Sequence, residues 1–413
     1  MAWYKRYIVI VLWVLTHLGM WAQDNILPEQ PQQDSVVVSV LTCTPGTDLY
    51  AKFGHTALRV RNWTHGEDVV FNYGCFNYNA DNFIWKFLLG QTDYLLEAED
   101  FELFMYRYGR MGNGVTEQIL NLSQQEASRL QQLLLENLQP ENQEYRYNWL
   151  YDNCTERARD MVEKAVEGKI VYQTVENDVT VRDLLNACLQ TSPWASFGIN
   201  MILGAEIDRK ADGRTLMFLP DMLRNEANRA IIVKKDGKME RESRSIPYIV
   251  NEEVILEEAN AAEAPMWMVS PICVFAIMLL VAIGLSVREV QKRCYAVWFD
   301  VLLHLVQGLA GVLVAFLFFF SEHAGCDSNS LVVLFNPLWL VYAGVLLCCY
   351  KKKKANVLAV VNMVVLDIFF VWMTIGTQEF HPAMWLVIAC LMVRAAMQVW
   401  HTSHLRIVEQ LKD

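Results

Sequence analysis

The stretches GHTALRV (residues 54–60) and DNCT (residues 152–155) decide the fold of this chain. Alternate residues of a strand point to opposite faces, so the first stretch predicts a strand with its apolar residues toward a core and His55 toward a cleft on the other face. The second predicts a helix that begins near Cys154, because the polar residues before it are good N-caps. Together they indicate a mixed domain that holds a histidine beside a cysteine.

These two side chains have the chemistry of a thiol nucleophile and its base. A cysteine in the first turn of a helix feels the helix dipole, which lowers the pKa of the thiol. The N–H groups of that turn, including that of Cys154, are predicted oxyanion donors. His55 would take the thiol proton. Asn72 on the following strand is the candidate that orients His55, with Asp68 behind it as an alternative.

The order of the two residues along the chain points to a particular fold. Papain-like enzymes ordinarily place the cysteine first, whereas here His55 precedes Cys154. The chain resembles in this respect the circularly permuted papain-like thiol enzymes of the NlpC/P60 type. The polar neighbours of Cys154 disfavour a buried, inert thiol. Cys43 and Cys75 could instead form a structural disulfide.

The periodicity around these stretches predicts an α+β domain, within the size range of a single domain. A buried strand is expected at Ser35–Thr42 because it is rich in β-branched residues. A capping box of Ser123 and Glu126 predicts the start of a helix. The further expected strands are 55–61, 68–73 and 117–122, and the expected helices are 124–137, 154–167 and 181–189. The segment 192–205 is either a core helix or an amphipathic segment on the membrane beside the site.

The rest of the chain has the composition of a membrane protein. Of its 413 residues 54% are hydrophobic, and the formal net charge is −11. The apolar excess lies in the first two dozen residues and after about residue 265. Residues 1–22 have the basic start and short apolar run of a signal peptide or signal anchor. Five stretches are long enough to span a bilayer, at 266–286, 297–320, 331–350, 357–376 and 383–400.

The basic residues set the orientation of these spans. Lys and Arg follow the first, third and fifth spans, whereas the loops after the second and fourth contain neither. By the positive-inside rule the domain before the first span lies outside the cytoplasmic membrane. The predicted division is a signal at 1–22, a catalytic domain at 24–255 and a five-helix transmembrane domain at 266–413. We expect a multi-pass protein of the cytoplasmic (inner) membrane with its catalytic domain in the periplasm.

Several longer strings identify a family resemblance. LTCTPGTDLYAKFGHTALRV, VVFNYGCFNY and YRYNWLYDNCTERARD are similar to the Lnb N-terminal periplasmic domain family of Bacteroidota, formerly a domain of unknown function. The resemblance covers most of residues 35–225 and continues at residues 321–323 and 336–338. Glu156 departs from the family pattern, which has a second Thr after Asn-Cys-Thr. The family name refers to a lipoprotein N-acyltransferase.

The resemblance implies that a fatty acyl chain moves to the α-amine of a lipoprotein's lipidated N-terminal cysteine. The implied partners are a phospholipid or other acyl-lipid donor, a lipoprotein N-terminus and the membrane, with no nucleic acid. No metal or other cofactor is expected, since the chain has no CxxC or Cys/His zinc spacing. Asn153, Glu322 and His323 are candidates for the substrate or membrane interface. Asp300, His304, Asp367 and Arg394 lie within spans, where ionisable residues indicate function, but Asp300 and Arg394 lie towards span ends and are equally consistent with structure.

Two other functions are compatible with the sequence. A periplasmic cysteine peptidase or amidase of the permuted papain type would share His55 and Cys154, but it gives no reason for five spans. A non-catalytic membrane receptor or scaffold would need neither residue. The leading hypothesis is an acyltransferase with catalytic residues Cys154, His55 and Asn72.

Overall fold

The main sheet of the first domain has seven antiparallel strands. The computed structural model describes residues 35–173, 178–235, 243–259 and 269–410, so the predicted signal lies outside the described residues. The strand order is β10-β5-β1-β2-β3-β4-β6. The strands are β1 (Val36–Cys43), β2 (His55–Asn62), β3 (Glu67–Cys75), β4 (Asp93–Asp100), β5 (Val115–Leu120), β6 (Glu144–Arg146) and β10 (Ile249–Leu256).

Helices and a smaller sheet complete this α+β domain, as the sequence predicts. The helices are α1 (Phe83–Leu89), α2 (Phe101–Met111), α3 (Gln124–Asn137), α4 (Cys154–Ala165), α5 (Val181–Cys188), α6 (Pro193–Ile202), α7 (Gly213–Leu216) and α8 (Pro220–Arg229). The smaller sheet has the strands β7 (Lys169–Val171), β8 (Ile231–Lys235) and β9 (Ser243–Pro247). The predicted capping box at Ser123 and Glu126 starts α3.

The two faces of the main sheet are both covered. Leu58 and Val60 lie in the larger core, against α3 and α4. The other face is not the open cleft that alternation along β2 predicts, because Phe104 of α2 packs there on Ala57 and Val70. Because both faces of β2 are covered along the strand, a substrate can reach it only at its end, where His55 lies.

Five helices after this domain are long and apolar enough to cross a membrane. They are α9 (Pro271–Lys292), α10 (Val297–Phe320), the pair α11 (Leu331–Leu334) and α12 (Leu338–Lys351), α13 (Leu358–Ile375) and α14 (Pro382–Gln410). The last helix continues ten residues beyond its predicted end. The third span is broken before Leu338, and the Asn336 side chain bonds the backbone on both sides of the break. Proline accounts for the break because it has no N–H to continue the helix.

The two parts meet through α6 and the loop after it. Phe197 packs on Phe275 of α9, and the Trp194 indole donates a hydrogen bond to the Val269 carbonyl. The segment 192–205 thus contains a packed helix, as the first alternative predicts, and its partners are the outer ends of the spans. Contact of this segment with the membrane stays a prediction. A Cβ on Gly204 would lie 2.2 Å from the backbone of Ser328, so no other residue fits there.

Candidate active site

His55 and Cys154 lie side by side at one end of the main sheet. His55 is the first residue of β2 and Cys154 is the first residue of α4. The imidazole and the thiol are close enough to interact, and the interaction shifts the pKa of both groups. The neighbouring hydroxyls of Thr56 and Thr155 are 3.1 Å apart, which fastens the start of the helix to the start of the strand. The fold thus brings together the two residues on which the sequence analysis depends.

A bulge in β3 makes room for the nucleophile. The pairing of β3 with β4 shifts register at Gly74, which has a φ of 87°. A Cβ on Gly74 would lie 3.3 Å from the Cβ of Cys154, and the left-handed backbone adds strain for any other residue. Bulges often occur beside active sites because they redirect a strand locally. Here the bulge lets the first turn of α4 approach the sheet.

Asn72 lies where a residue that orients the histidine should lie. Its Oδ1 accepts a hydrogen bond from Nε2 of His55 over 3.2 Å. An amide oxygen only accepts, so Nε2 carries the proton and Nδ1 is left for the thiol. Asp68, the alternative, binds the guanidinium of Arg59 at 2.6 Å instead.

A second layer holds Asn72 itself. Its Nδ2 donates to Oε1 of Glu99 over 3.0 Å, and Arg107 of α2 binds the same carboxylate oxygen. The contact fixes the orientation of the amide, because a carboxylate can only accept from the NH2 group. A row of four side chains therefore runs from Arg107 through Glu99 and Asn72 to His55.

The thiol and the imidazole shift each other's pKa. Burial alone would raise the pKa of the Cys154 thiol, but the charge and hydrogen bond of His55 outweigh it, and the pKa is lowered. Burial alone would lower the pKa of His55, but the Cys154 thiolate and the bond to Asn72 raise it. An opposite charge at hydrogen-bonding distance favours the ionised form of both groups. The arrangement supports a thiolate–imidazolium pair.

Asn153 caps the helix that carries the nucleophile. Its Oδ1 accepts from the N–H groups of Thr155 and Glu156 at 2.8 and 3.1 Å. Its Nδ2 donates to the carbonyls of Trp149 and Phe218. The residue is 4% exposed, so the structure gives it a place in positioning α4 rather than in contact with a substrate.

The cap also decides which donors are left for an oxyanion. The N–H groups of Thr155 and Glu156 are occupied by Asn153, whereas that of Cys154 has no hydrogen bond among the described residues. The buried Tyr145 hydroxyl likewise has no partner in the described part of the chain. A Cβ on Gly74 would be 3.9 Å from this oxygen, so the hydroxyl borders the same space as the thiol. Two potential donors thus lie near Cys154.

Glu156, the residue that departs from the family pattern, is buried in the first turn of α4. Burial raises the pKa of its carboxyl to about 7, although Arg159 opposes the shift. The nearest Arg159 nitrogen is 3.6 Å from the carboxylate, and Oε2 has no hydrogen bond among the described residues. The buried carboxylate therefore has too few hydrogen bonds and too distant a cation to offset the loss of water around its charge.

All ten cysteines are free in the structure, so Cys43 and Cys75 are not joined. Cys43 pairs with His55 across β1 and β2, and Cys75 donates a weak hydrogen bond to the Asn72 carbonyl. Burial raises the pKa of both thiols to about 12. Both therefore stay protonated at neutral pH, whereas the pKa of Cys154 is shifted in the opposite direction.

Glu322 and His323 lie just beyond the outer end of α10 and contact α1 rather than Cys154. The backbone N–H of Glu322 donates to the Leu89 carbonyl over 2.8 Å, and its carboxylate accepts from Gln91. His323 Nε2 donates to the Phe87 carbonyl over 2.6 Å. These contacts favour a role of Glu322 and His323 in docking the first domain on the membrane part over a role in binding a substrate.

The charged residues within the spans divide into two groups. Arg394 binds both Asp300 and Glu289 in the interior of the bundle, and His304 bonds to Gln307 and Gln398 nearby. Asp367 instead lies exposed on the outside of α13. The described His, Cys, Asp and Glu residues include no group that could hold a metal ion.

Sequence reasoning did not find four elements of this region. Glu99, Arg107 and Tyr145 have no local signal, because only the register of β3, β4 and β6 and the packing of α2 bring them to the site. The helix α1 did have a signal, the apolar run FIWKFLL before Gly90. It is too short to span a membrane, so a search for spans does not detect it.

Comparisons with known proteins agree with the division into two parts. The family model of the Lnb N-terminal periplasmic domain matches residues 22–187, and that of the Lnb transmembrane domain matches residues 263–405. No curated protein and no solved structure matches the chain.

Proposed function

The chain belongs to the Lnb family, and from that premise we propose that it is a lipoprotein N-acyltransferase of the cytoplasmic membrane with Cys154 as its nucleophile. The observation that carries the proposal is the contact of Cys154 with His55, and of His55 with Asn72, in a domain seated on five membrane helices. A lipid-linked substrate explains why a thiol site is anchored in this way.

In the first half-reaction the Cys154 thiolate attacks the carbonyl carbon of a phospholipid acyl ester. The C–S bond forms as the carbonyl oxygen takes negative charge, and the backbone N–H of Cys154 and the Tyr145 hydroxyl are placed to donate to it. The ester C–O bond then breaks. His55 gives its proton to the departing lysophospholipid oxygen, which leaves an S-acyl enzyme.

In the second half-reaction the α-amine of a diacylated lipoprotein cysteine attacks the thioester carbonyl. Neutral His55 takes a proton from the nitrogen, the C–N bond forms, and the C–S bond breaks to release the thiolate. Asn72 keeps the imidazole in the tautomer that both steps require, and Glu99 keeps the Asn72 amide in place. Water must be kept from the thioester, since hydrolysis would waste the acyl group.

Lipoprotein structure in cells tests this proposal. In a strain that depends on this protein, Cys154→Ala should leave lipoproteins diacylated, as read by mass spectrometry of their N-terminal peptides. Cys188→Ala is the matched control, because Cys188 is another partly buried free cysteine of the same domain. Normal N-acylation with Cys154→Ala would reject the proposal.

A second measurement identifies the intermediate. Purified protein incubated with phospholipid should gain the mass of one acyl group on Cys154, and hydroxylamine should remove it as expected for a thioester. Amide hydrolysis by the protein without any lipid requirement would instead favour a peptidase or amidase.

A further inference from the structure

The helix α1 exposes an unusual amount of apolar surface. Ile84, Trp85 and Phe87 are 74%, 56% and 47% exposed, and we call these three side chains the α1 face. Adjacent large apolar side chains on a surface mark a site that contacts a protein, a membrane or a ligand. Lys86, the basic residue of the helix, is exposed between them.

The position of α1 indicates that the α1 face contacts the membrane. The rings of Trp85 and Phe316 are 5.1 Å apart, and Phe316 lies one helical turn inside the outer end of α10 at Phe320. The end of α1 is held there by its hydrogen bonds with Glu322 and His323. One turn of helix is about 5.4 Å, so Trp85 reaches below the boundary of the bilayer. The α1 face is therefore continuous with the surface that α10 presents to lipid.

The inner side of α1 leads toward the nucleophile. Phe83 stacks on Phe76 with ring centroids 5.7 Å apart, and Phe76 contacts Tyr94 at 5.0 Å. Tyr94 contacts Tyr147 at 4.1 Å, and Phe76, Tyr147 and Cys154 all pack against the larger core. A row of aromatic rings thus connects the membrane surface with the site.

We propose that α1 is immersed in the outer leaflet and that a glycerophospholipid enters the site beside it. One acyl chain of the lipid lies along Phe83 and Phe76, which brings its ester carbonyl to Cys154. Lys86 extends from the apolar surface toward the lipid phosphate, as long basic side chains do at an interface. This entry site rests on the proposed acyl transfer, for which it names the donor and its path.

Two acyl donors, one in a membrane and one in water, distinguish lipid entry from thioester formation. Formation of the Cys154 thioester is measured with phospholipid vesicles and with a water-soluble short-chain activated ester. I84E/W85E should lower the ratio of the phospholipid rate to the soluble-ester rate about tenfold, because charges are unfavourable in the bilayer. Trp63→Glu is the matched control, since Trp63 is 62% exposed at the other end of the β2–β3 hairpin. An unchanged ratio in I84E/W85E would overturn the proposal.

Photocrosslinking tests the site without turnover. Full-length protein with Cys154→Ala is placed in phosphatidylethanolamine vesicles that contain a lipid with a diazirine in its acyl chain. Crosslinks within residues 83–89 support the entry site, and crosslinks confined to the spans α9–α14 overturn it. This result also decides the matter if I84E/W85E loses both rates. Absence of a thioester in the wild-type protein with either donor would reject the acyltransferase while leaving the crosslinking result valid.

Discussion

Two of the buried polar clusters, one around Arg394 and one beside Cys154, differ in how completely their groups are paired. In the membrane bundle each N–H of the Arg394 guanidinium donates, to Asp300, Glu289 or Ser286. Tyr295 and the backbone N–H of Ala296 supply further donors to the same carboxylates. Beside Cys154, by contrast, a hydroxyl, a carboxylate oxygen and a backbone N–H lack partners among the described residues. We call the fully paired cluster around Arg394 the closed cluster, and the cluster of Cys154, Tyr145 and Glu156 the open cluster. Full pairing stabilises a fold, whereas unpaired groups are free to bind a reacting group.

The largest effect is expected from removing the nucleophile of the open cluster. Cys154→Ala should lower acyl transfer by about 10^4-fold or more, the scale seen when a covalent nucleophile is lost. The thermal unfolding temperature should change little, because Cys154 is only partly buried. Initial rates of lipoprotein N-acylation in proteoliposomes, together with a melting curve, measure both. Substantial remaining activity would mean that another residue is the nucleophile.

A substitution in the closed cluster should have the opposite pattern, with lower stability and unchanged chemistry at Cys154. Arg394→Met leaves two carboxylates buried without their cation, which should lower the free energy of unfolding by about 3–5 kcal/mol. The protein that remains folded should still form the Cys154 thioester. Melting in detergent or bilayers gives the first quantity and intact mass the second. The triple variant R394M/E289Q/D300N should recover much of the loss, and failure to recover would contradict the pairing explanation.

The two clusters also differ in which of their residues the sequence could predict. His55 and Cys154 were found because a strand start and a helix cap have local signals, and the spans because lipid demands long apolar runs. Tyr145 and Glu99 reach the site only through strand register and have no such signal. The strand β4 was missed because DYLLEAED is rich in acidic residues, which strands disfavour. Arg394 could be noted as a charge in a span, but its partners come from α9 and α10.

Glu156 provides a test of incomplete pairing in the open cluster. Its carboxyl has a pKa of about 7 in the folded protein against 4.5 ordinarily, so the folded state holds the proton more tightly. The contribution of Glu156 to the free energy of unfolding is then fully present below about pH 4.5 and is lost as the pH rises through about 7, by up to about 3 kcal/mol. Glu156→Gln should remove this fall. Denaturant unfolding of both proteins across this range measures the difference, and a difference independent of pH would contradict it.

A smaller effect is expected from the unpartnered hydroxyl of the same cluster. Tyr145→Phe keeps the ring, over which Arg157 lies at 3.7 Å, and removes only the oxygen. The loss of one oxyanion donor should lower the rate of thioester formation about 100-fold. Stability should not fall, because the hydroxyl has no hydrogen bond to lose among the described residues. Tyr172→Phe is the matched control, since its buried hydroxyl is likewise unpartnered but it packs on Tyr248. An equal rate in the two variants would exclude Tyr145 as a donor.

The smallest expected effect is a change in the pH at which the thiol reacts. Alkylation of Cys154 by a membrane-impermeant reagent should reach half its maximal rate below the ordinary thiol pKa, because His55 stabilises the thiolate. In His55→Ala the two influences of the imidazole are lost, and burial, the largest influence, is opposed only by the hydrogen bonds of Thr56 and Thr155, so the half-maximal point should move upward. Alkylation at neutral pH should then fall about tenfold, the factor for one pKa unit. Cys154→Ala supplies the background, which should be low because burial raises the pKa of Cys43, Cys75 and Cys188 to between about 11 and about 12. If His55→Ala leaves the profile where it was, the thiolate of the open cluster is stabilised by the helix start alone, and His55 serves only to transfer protons.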